Sequence, residues 1–278
     1  MSNVFTVTAN TGARWVSTAG MLVGVGLSSC VGGNAPTDPF DAGGAGRAVA
    51  GATGGAGAGA AGGGSSSLVA GSKQSHYPLV VGATWSYHHT NPTKQPWDEV
   101  DTIEAATYMG KQAFALTDEE DGQGQKTRSL LAVEGTGVYR VYKEVAVSGQ
   151  VAVKVAYDPG FLRYDEAWTA GASMTLDDVW TQTCVFSSTA AKCAPGAVQP
   201  GTTTHSFKVI NVSTQVTVPA GSFDAVEIER VNPGNSETKR FWFAAGVGKV
   251  REFDTTSGAI EELTQYVCPE GETGPSPC

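Results

Sequence analysis

Positive charge is scarce in this sequence. Its 278 residues hold 18 Lys and Arg against 27 Asp and Glu, a formal net charge of −9. No basic cluster is present to track a phosphate backbone, so no nucleic-acid partner is expected. Long apolar runs are missing too. The longest, residues 15–27, falls short of the ~20 residues a spanning helix needs. Helical periodicity is nearly absent, and the best candidate for a helical turn is Leu176-Asp177-Asp178. There is no G-x-S-x-G elbow, P-loop, Rossmann glycine set or H-E-x-x-H. The histidines are His76, His88, His89 and His205. His88 and His89 are adjacent, so on a strand they face opposite ways and do not chelate one ion. No closely spaced C-x-x-C supports zinc or thioredoxin-like redox chemistry. No catalytic residue, cofactor or metal is therefore expected, and the chain reads as a non-enzyme.

What is present at the start of the chain is an address. Arg14 is the one charged side chain before Cys30, and the apolar stretch 15–27 follows it directly. A positive flank, a short apolar stretch and small residues are the parts of a secretory signal. Leu27-Ser28-Ser29-Cys30 resembles a bacterial lipobox. That resemblance implies a signal peptide over residues 1–29 and a lipidated Cys30, carrying diacylglycerol on the thiol and an acyl chain such as palmitate on the new amine. The residue after the cysteine is Val31 and not Asp. By the family's sorting rule this implies an outer-membrane lipoprotein facing the periplasm or the cell surface. A non-lipidated secretory signal is the rival reading.

Glycine is abundant, at 36 residues, but most of the excess lies between residues 31 and 72. That run has one aromatic residue, little charge and no period of 2 or 3.6. It cannot bury enough apolar area to offset a backbone entropy of ~1–2 kcal/mol per residue. Residues 30–75 are accordingly expected to be a disordered Gly/Ala/Ser-rich tether, with a root-mean-square reach of roughly 35–40 Å.

From residue 76 to 278 the texture is that of an antiparallel all-β domain, with β-branched and aromatic residues alternating with polar ones between turn signals. About ten or eleven strands can be placed. Trp85 and Tyr87 share one strand face, as do Phe241 and Phe243. Tyr139, Val141, Val145 and Val147 form another stripe, and Val212, Thr214, Val216 and Val218 a further one. Ser148-Gly149-Gln150, Pro219-Ala220-Gly221 and residues 254–258 read as hairpin turns. A single meander of this size makes a barrel, a half barrel or a sandwich, and an open or half barrel is expected. Asp118-Glu119-Glu120-Asp121-Gly122 reads as a solvated hairpin tip that lacks the spacing of an EF-hand loop. Asp98-Glu99 and Asp177-Asp178 read as exposed charge.

Four cysteines follow Cys30: Cys184, Cys193, Cys268 and Cys278. An even count in an exported chain suggests two disulfides. Three connectivities exist. The local pairs Cys184–Cys193 and Cys268–Cys278 are favoured, because each closes a polar loop that little else holds, the second of them in the C-terminal tail.

Two stretches carry a second resemblance. Residues 77–87, YPLVVGATWSY, and residues 218–226, VPAGSFDAV, followed by residues 241–250, FWFAAGVGKV, are similar to motifs of bacterial exported proteins and lipoproteins of unassigned function. Their fold resembles the open barrel of the lipoprotein carriers LolA and LolB. The resemblance implies an open barrel and places Gly82, Gly221, Gly246 and Gly248 in turns. With no catalytic motif, the chain is expected to be a lipid-anchored envelope protein that binds a lipid, a hydrophobic peptide or an envelope protein. Trp85, Tyr87, Phe241 and Phe243 are the candidate ligand-binding residues, and the membrane is a partner through the N-terminal anchor. The alternatives are a filled barrel acting as an interaction module, and a hydrolase built on the scaffold.

Overall fold

The computed structural model describes residues 69–119, 124–186 and 194–269. Twelve strands fill this span: β1 (Thr84–Asn91), β2 (Lys94–Tyr108), β3 (Lys111–Asp118), β4 (Gln125–Glu134), β5 (Gly137–Val147), β6 (Gln150–Asp165), β7 (Ser173–Cys184), β8 (Val198–Val218), β9 (Gly221–Asn232), β10 (Glu237–Ala244), β11 (Gly248–Asp254) and β12 (Ile260–Val267). Each strand pairs antiparallel with the next, and β12 pairs with β1. The expected all-β meander is therefore present, but it does not stop at an open or half barrel. It closes. The physical reason is the register Thr84↔Val267 to Thr90↔Ile260, which satisfies the backbone groups of both terminal strands and leaves no sheet edge.

The turns follow the local sequence. Ser148 and Gly149 both have positive φ (50° and 77°) in the two-residue link between Val147 and Gln150. This backbone twist matches that of the flanking strands. Gly82, Gly221, Gly246 and Gly248 also have positive φ, as their place in turns requires. Leu176-Asp177-Asp178 is not a helical turn. It lies inside β7, where Leu176 pairs with His205 and Asp178 with Thr203. A register shift between Arg140 and Tyr142 breaks the stripe expected in β5. Val141 packs in one cluster with Ala115 and Leu130, whereas Val145 packs in another with Val153, Val155 and Trp180. A second irregularity, between Asn211 and Thr214, leaves Val212 exposed while Val216 and Val218 are buried.

The segment 69–83 lies across the end of the barrel where β1 begins. Gly246, in the β10–β11 turn, donates its N–H to the Ser75 carbonyl at 2.8 Å. The Glu166 carboxylate, just past β6, accepts from the His76 N–H and meets His76 Nδ1, both at 2.8 Å. Leu79 and Ala83 join the main apolar cluster, with Trp85, Tyr87, Ile103, Val138 and Tyr266.

Candidate functional site

A twelve-stranded barrel is wider than the eight-stranded size whose interior ordinary side chains just fill. Here long charged and aromatic side chains fill the difference. Directly paired residues on neighbouring strands share a face. One lateral row therefore runs Ile228↔Phe241↔Glu252↔Glu261↔His89↔Trp97 around the wall. The next runs Leu263↔Tyr87↔Glu99, and the one after it Trp85↔Asp101↔Asp118. Glu99, Arg140, Lys143, Arg230, Lys239, Glu252 and Glu261 are all buried.

Ion pairs hold this interior together. Lys239 Nζ lies 2.9 Å from Glu252 and 3.5 Å from Glu237. Lys249 Nζ lies 2.7 Å from Glu261 and 3.1 Å from Glu252, and 5.2 Å from the Tyr87 ring centre. Burial alone would raise the Glu252 carboxyl, but Lys239, with Lys249, overrides it and holds the group at about 2. Burial works against the charge on Lys249, and Glu261 and Glu252 hold it well above the ordinary lysine range. Glu261 and Asp101 are pushed up, in both cases by burial first; Glu99 and then Asp118 add to the effect at Asp101.

All four histidines meet carboxylates: His76 with Glu166, His88 with Asp98 at 2.7 Å, His89 with Glu99 at 3.2 Å and His205 with Asp178 at 3.6 Å. His88 and His89 point to opposite faces, as expected. The reading of Asp98-Glu99 and Asp177-Asp178 as exposed charge needs correction. Asp98 is exposed, but Glu99 and Asp178 are buried, because period-2 alternation sends one of each adjacent pair into the lumen. His89 stacks on Trp97 at 4.7 Å, and burial lowers its pKa. Among the described residues, no group of three or more His, Cys, Asp or Glu is placed to hold a metal ion.

The candidate ligand-binding rings divide between two places. Trp85 donates its indole N–H to the Val247 carbonyl at 2.6 Å and stacks on Tyr266, and the Tyr87 hydroxyl donates to the Lys249 carbonyl at 2.9 Å. Both rings line a cavity of ≈50 Å³ together with Tyr77, Ile103, Leu116 and Asp101. A second cavity of ≈40 Å³ shares Asp101, Leu116, Arg163 and Lys249 with the first and adds Glu99, Asp118, Arg140 and Glu261. Phe241 and Phe243 stack on each other at 6.1 Å, with the Arg230 guanidinium 5.0 Å from the Phe241 ring centre. They border a smaller void of ≈10 Å³ beside Trp168 and Phe207. Sequence reasoning found the rings but not the charges between them. The sequence reading places Glu99 among exposed charges and does not single out Asp101 or Lys249.

Cys30 lies outside the described residues, as do Cys193 and Cys278. Cys184 and Cys268 are buried. Cys184 ends β7 and Cys268 follows β12, so they sit at opposite ends of the barrel. Strands of eight residues put them on the order of 25 Å apart, beyond disulfide reach of each other.

The fold and site define a closed twelve-stranded antiparallel barrel with an ion-paired lumen and a small cavity between aromatic and charged walls. No protein-family model matches the chain, and no curated protein matches it. One solved structure, a "putative lipoprotein" from Parabacteroides distasonis, is similar over 69% of this chain and 98% of its own, at 12% identity and a TM-score of 0.30.

Proposed function

We propose that this chain is an exported, lipid-tethered binding protein of the cell envelope, without catalytic activity, whose barrel takes a small ligand with an apolar body. The observation that carries the reading is the cavity between Tyr77, Trp85, Tyr87, Ile103 and Leu116, with Asp101, Arg163 and Lys249 as its charged groups. Apolar walls with a few convergent polar groups are the usual make-up of a ligand site. The two larger voids, ≈50 and ≈40 Å³, hold a few water-sized groups. That suits a compact compound and is too little for a sixteen-carbon acyl chain. The address rests on Leu27-Ser28-Ser29-Cys30. Charge on the outer wall fits a barrel surrounded by water: Arg240 pairs with Glu227 and Glu229, and Arg251 with Glu262. Such residues are costly on a lipid face, at ~2–4 kcal/mol for Arg or Lys at the bilayer midplane.

The test is thermal shift and calorimetry on the purified protein with benzyl alcohol as a neutral aromatic probe. Saturable binding that is lost in Leu116→Trp, with the fold intact by circular dichroism, is expected. No binding by the wild type, and no adduct in native mass spectrometry of protein from its own host, would overturn the proposal. A second reading is favoured by the buried Lys239–Glu252 and Lys249–Glu261 pairs: a barrel filled for rigidity whose loops contact an envelope partner. Those negative results would leave that reading.

A further inference from the structure

The ≈50 Å³ cavity has one wall that does not belong to the barrel sheet. Tyr77 and Pro78 line it from the segment 69–83, and the rest of its lining comes from β1, β2, β3, β6 and β11. Those strands sit in a closed ladder, so moving one of them breaks inter-strand hydrogen bonds on both of its sides. The segment is fastened differently. At its root Gly82, bent at φ 87°, donates to the Ile103 carbonyl at 2.8 Å, and the Ala83 carbonyl accepts from the Ile103 N–H at 3.1 Å. Before that root the chain folds back on itself: Leu79 donates to the Gly71 carbonyl at 3.0 Å and Ser75 to the Ser72 carbonyl at 3.1 Å. These bonds make residues 71–79 one piece. The piece meets the barrel through the Gly246 N–H on the Ser75 carbonyl and through the Glu166 carboxylate, which takes the His76 N–H and meets the ring Nδ1. The Glu166 side chain is only 2% exposed, so water does not compete for this contact. Apolar contacts complete the seal. The Tyr77 ring meets Phe243 at 5.9 Å and the His76 ring meets Tyr164 at 5.5 Å. Pro78 lies against Gly248, where a Cβ would come within 3.4 Å of its Cδ.

We infer that residues 71–79 are a lid over the lumen cavity, latched by Glu166 and hinged at Gly82, and that a ligand enters and leaves between this lid and the barrel rim. This inference rests on the lumen being a binding site. It puts the mouth at the barrel end where β1 begins, because raising the lid exposes the cavity there without opening the sheet. Glu166 does not line the cavity. Its contacts with His76 are made in the closed barrel whether empty or filled, and they are lost only while the lid is up. Weakening the latch therefore speeds entry and exit by the same factor and leaves affinity unchanged. A residue that only supports the fold would change the melting temperature and leave both rates where they were.

The test follows benzyl alcohol by NMR exchange, which gives its entry and exit rates, and adds hydrogen exchange of the unliganded wild type. Glu166→Ala is expected to raise both rates ~10-fold or more, the size of one lost hydrogen bond to a carboxylate, with the dissociation constant unchanged. Glu166→Gln keeps an acceptor for the His76 N–H and should fall between the two. In the wild type the His76 and Gly246 amides are expected to exchange faster than the ladder amides of β8 and β9, as a local opening requires. Rates that stay the same in Glu166→Ala, or His76 and Gly246 amides that exchange only together with those ladders, would overturn the lid and leave the binding reading standing. No binding of benzyl alcohol by the wild type would remove both. The hydrogen-exchange comparison needs no variant, so a misfolded Glu166→Ala protein does not rescue the idea.

Discussion

Lys239 shows what a single residue does in this interior. It is buried between Glu237 and Glu252, and it is the main reason that Glu252 stays ionised. Removing one partner of a buried pair leaves an uncompensated charge and costs ~3–5 kcal/mol, whereas replacing both by apolar groups of similar volume is often neutral. Lys239→Met should therefore lower stability by about that amount at pH 7, and the double variant Lys239→Met, Glu252→Leu should recover much of it. The sign of the pH dependence follows from the depressed carboxyl. Its stabilising contribution is fully present above the ordinary carboxylate value of 4.5 and is lost as pH falls through about 2. Urea melts at pH 7 and pH 3 should show the gap between wild type and Lys239→Met narrowing at the lower pH. A gap of equal size at both would mean that Lys239 acts through packing alone.

At the scale of the element, the β7–β8 pair depends on a missing side chain. Gly201 lies directly opposite Trp180, and a Cβ there would come within 2.0 Å of the indole Cζ2. The Trp180 ring lies over the glycine and packs onward against Val153 and Val155. Even Gly201→Ala forces the indole out of this position. Overpacking of a core costs ~1–3 kcal/mol, and thermal unfolding should record that loss together with a change in tryptophan fluorescence. An unchanged melting temperature would show that the ring moves aside freely. Neither the pairing of these strands nor the partner of Trp180 is legible in the sequence, where Leu176-Asp177-Asp178 of β7 reads as the best candidate for a helical turn. Register is decided between strands, and each strand's own pattern says only which residues share a face.

For the whole molecule, the prediction concerns attachment. If Cys30 carries the lipid, Cys30→Ser should move the protein from the membrane fraction to the soluble one. The melting temperature of the barrel should stay the same, because the barrel closes on itself through β1 and β12. Stable anchoring takes more than one acyl chain, so loss of the modified thiol decides the outcome. A variant that still pellets with membranes in the absence of detergent would reject the lipobox reading.

The sequence by itself determined the all-β class, the single meander, the hairpin turns at 148–150, 219–221 and 254–258, and the inward set that includes Trp85, Tyr87, Phe241 and Phe243. Each of these rests on local information: a period of two, or a turn residue able to take positive φ. Closure was decided only by the tertiary structure, because Thr84 and Val267 are remote in the chain and nothing local in either strand announces the other. The same holds for the charged lumen. Glu99, Asp178 and Lys239 look like surface residues one strand at a time, since a charge is buried only where other strands bring its counter-charge or hydrogen-bond partner. Bringing Glu252 to Lys239 and Glu261 to Lys249, with Asp101 beside the Trp85 and Tyr87 rings, takes the relative placement of five strands, β10, β11, β12, β1 and β2. That placement exists once the twelve strands share one register around a closed wall, and it is what makes a candidate site out of residues that are ordinary strand positions in the linear chain.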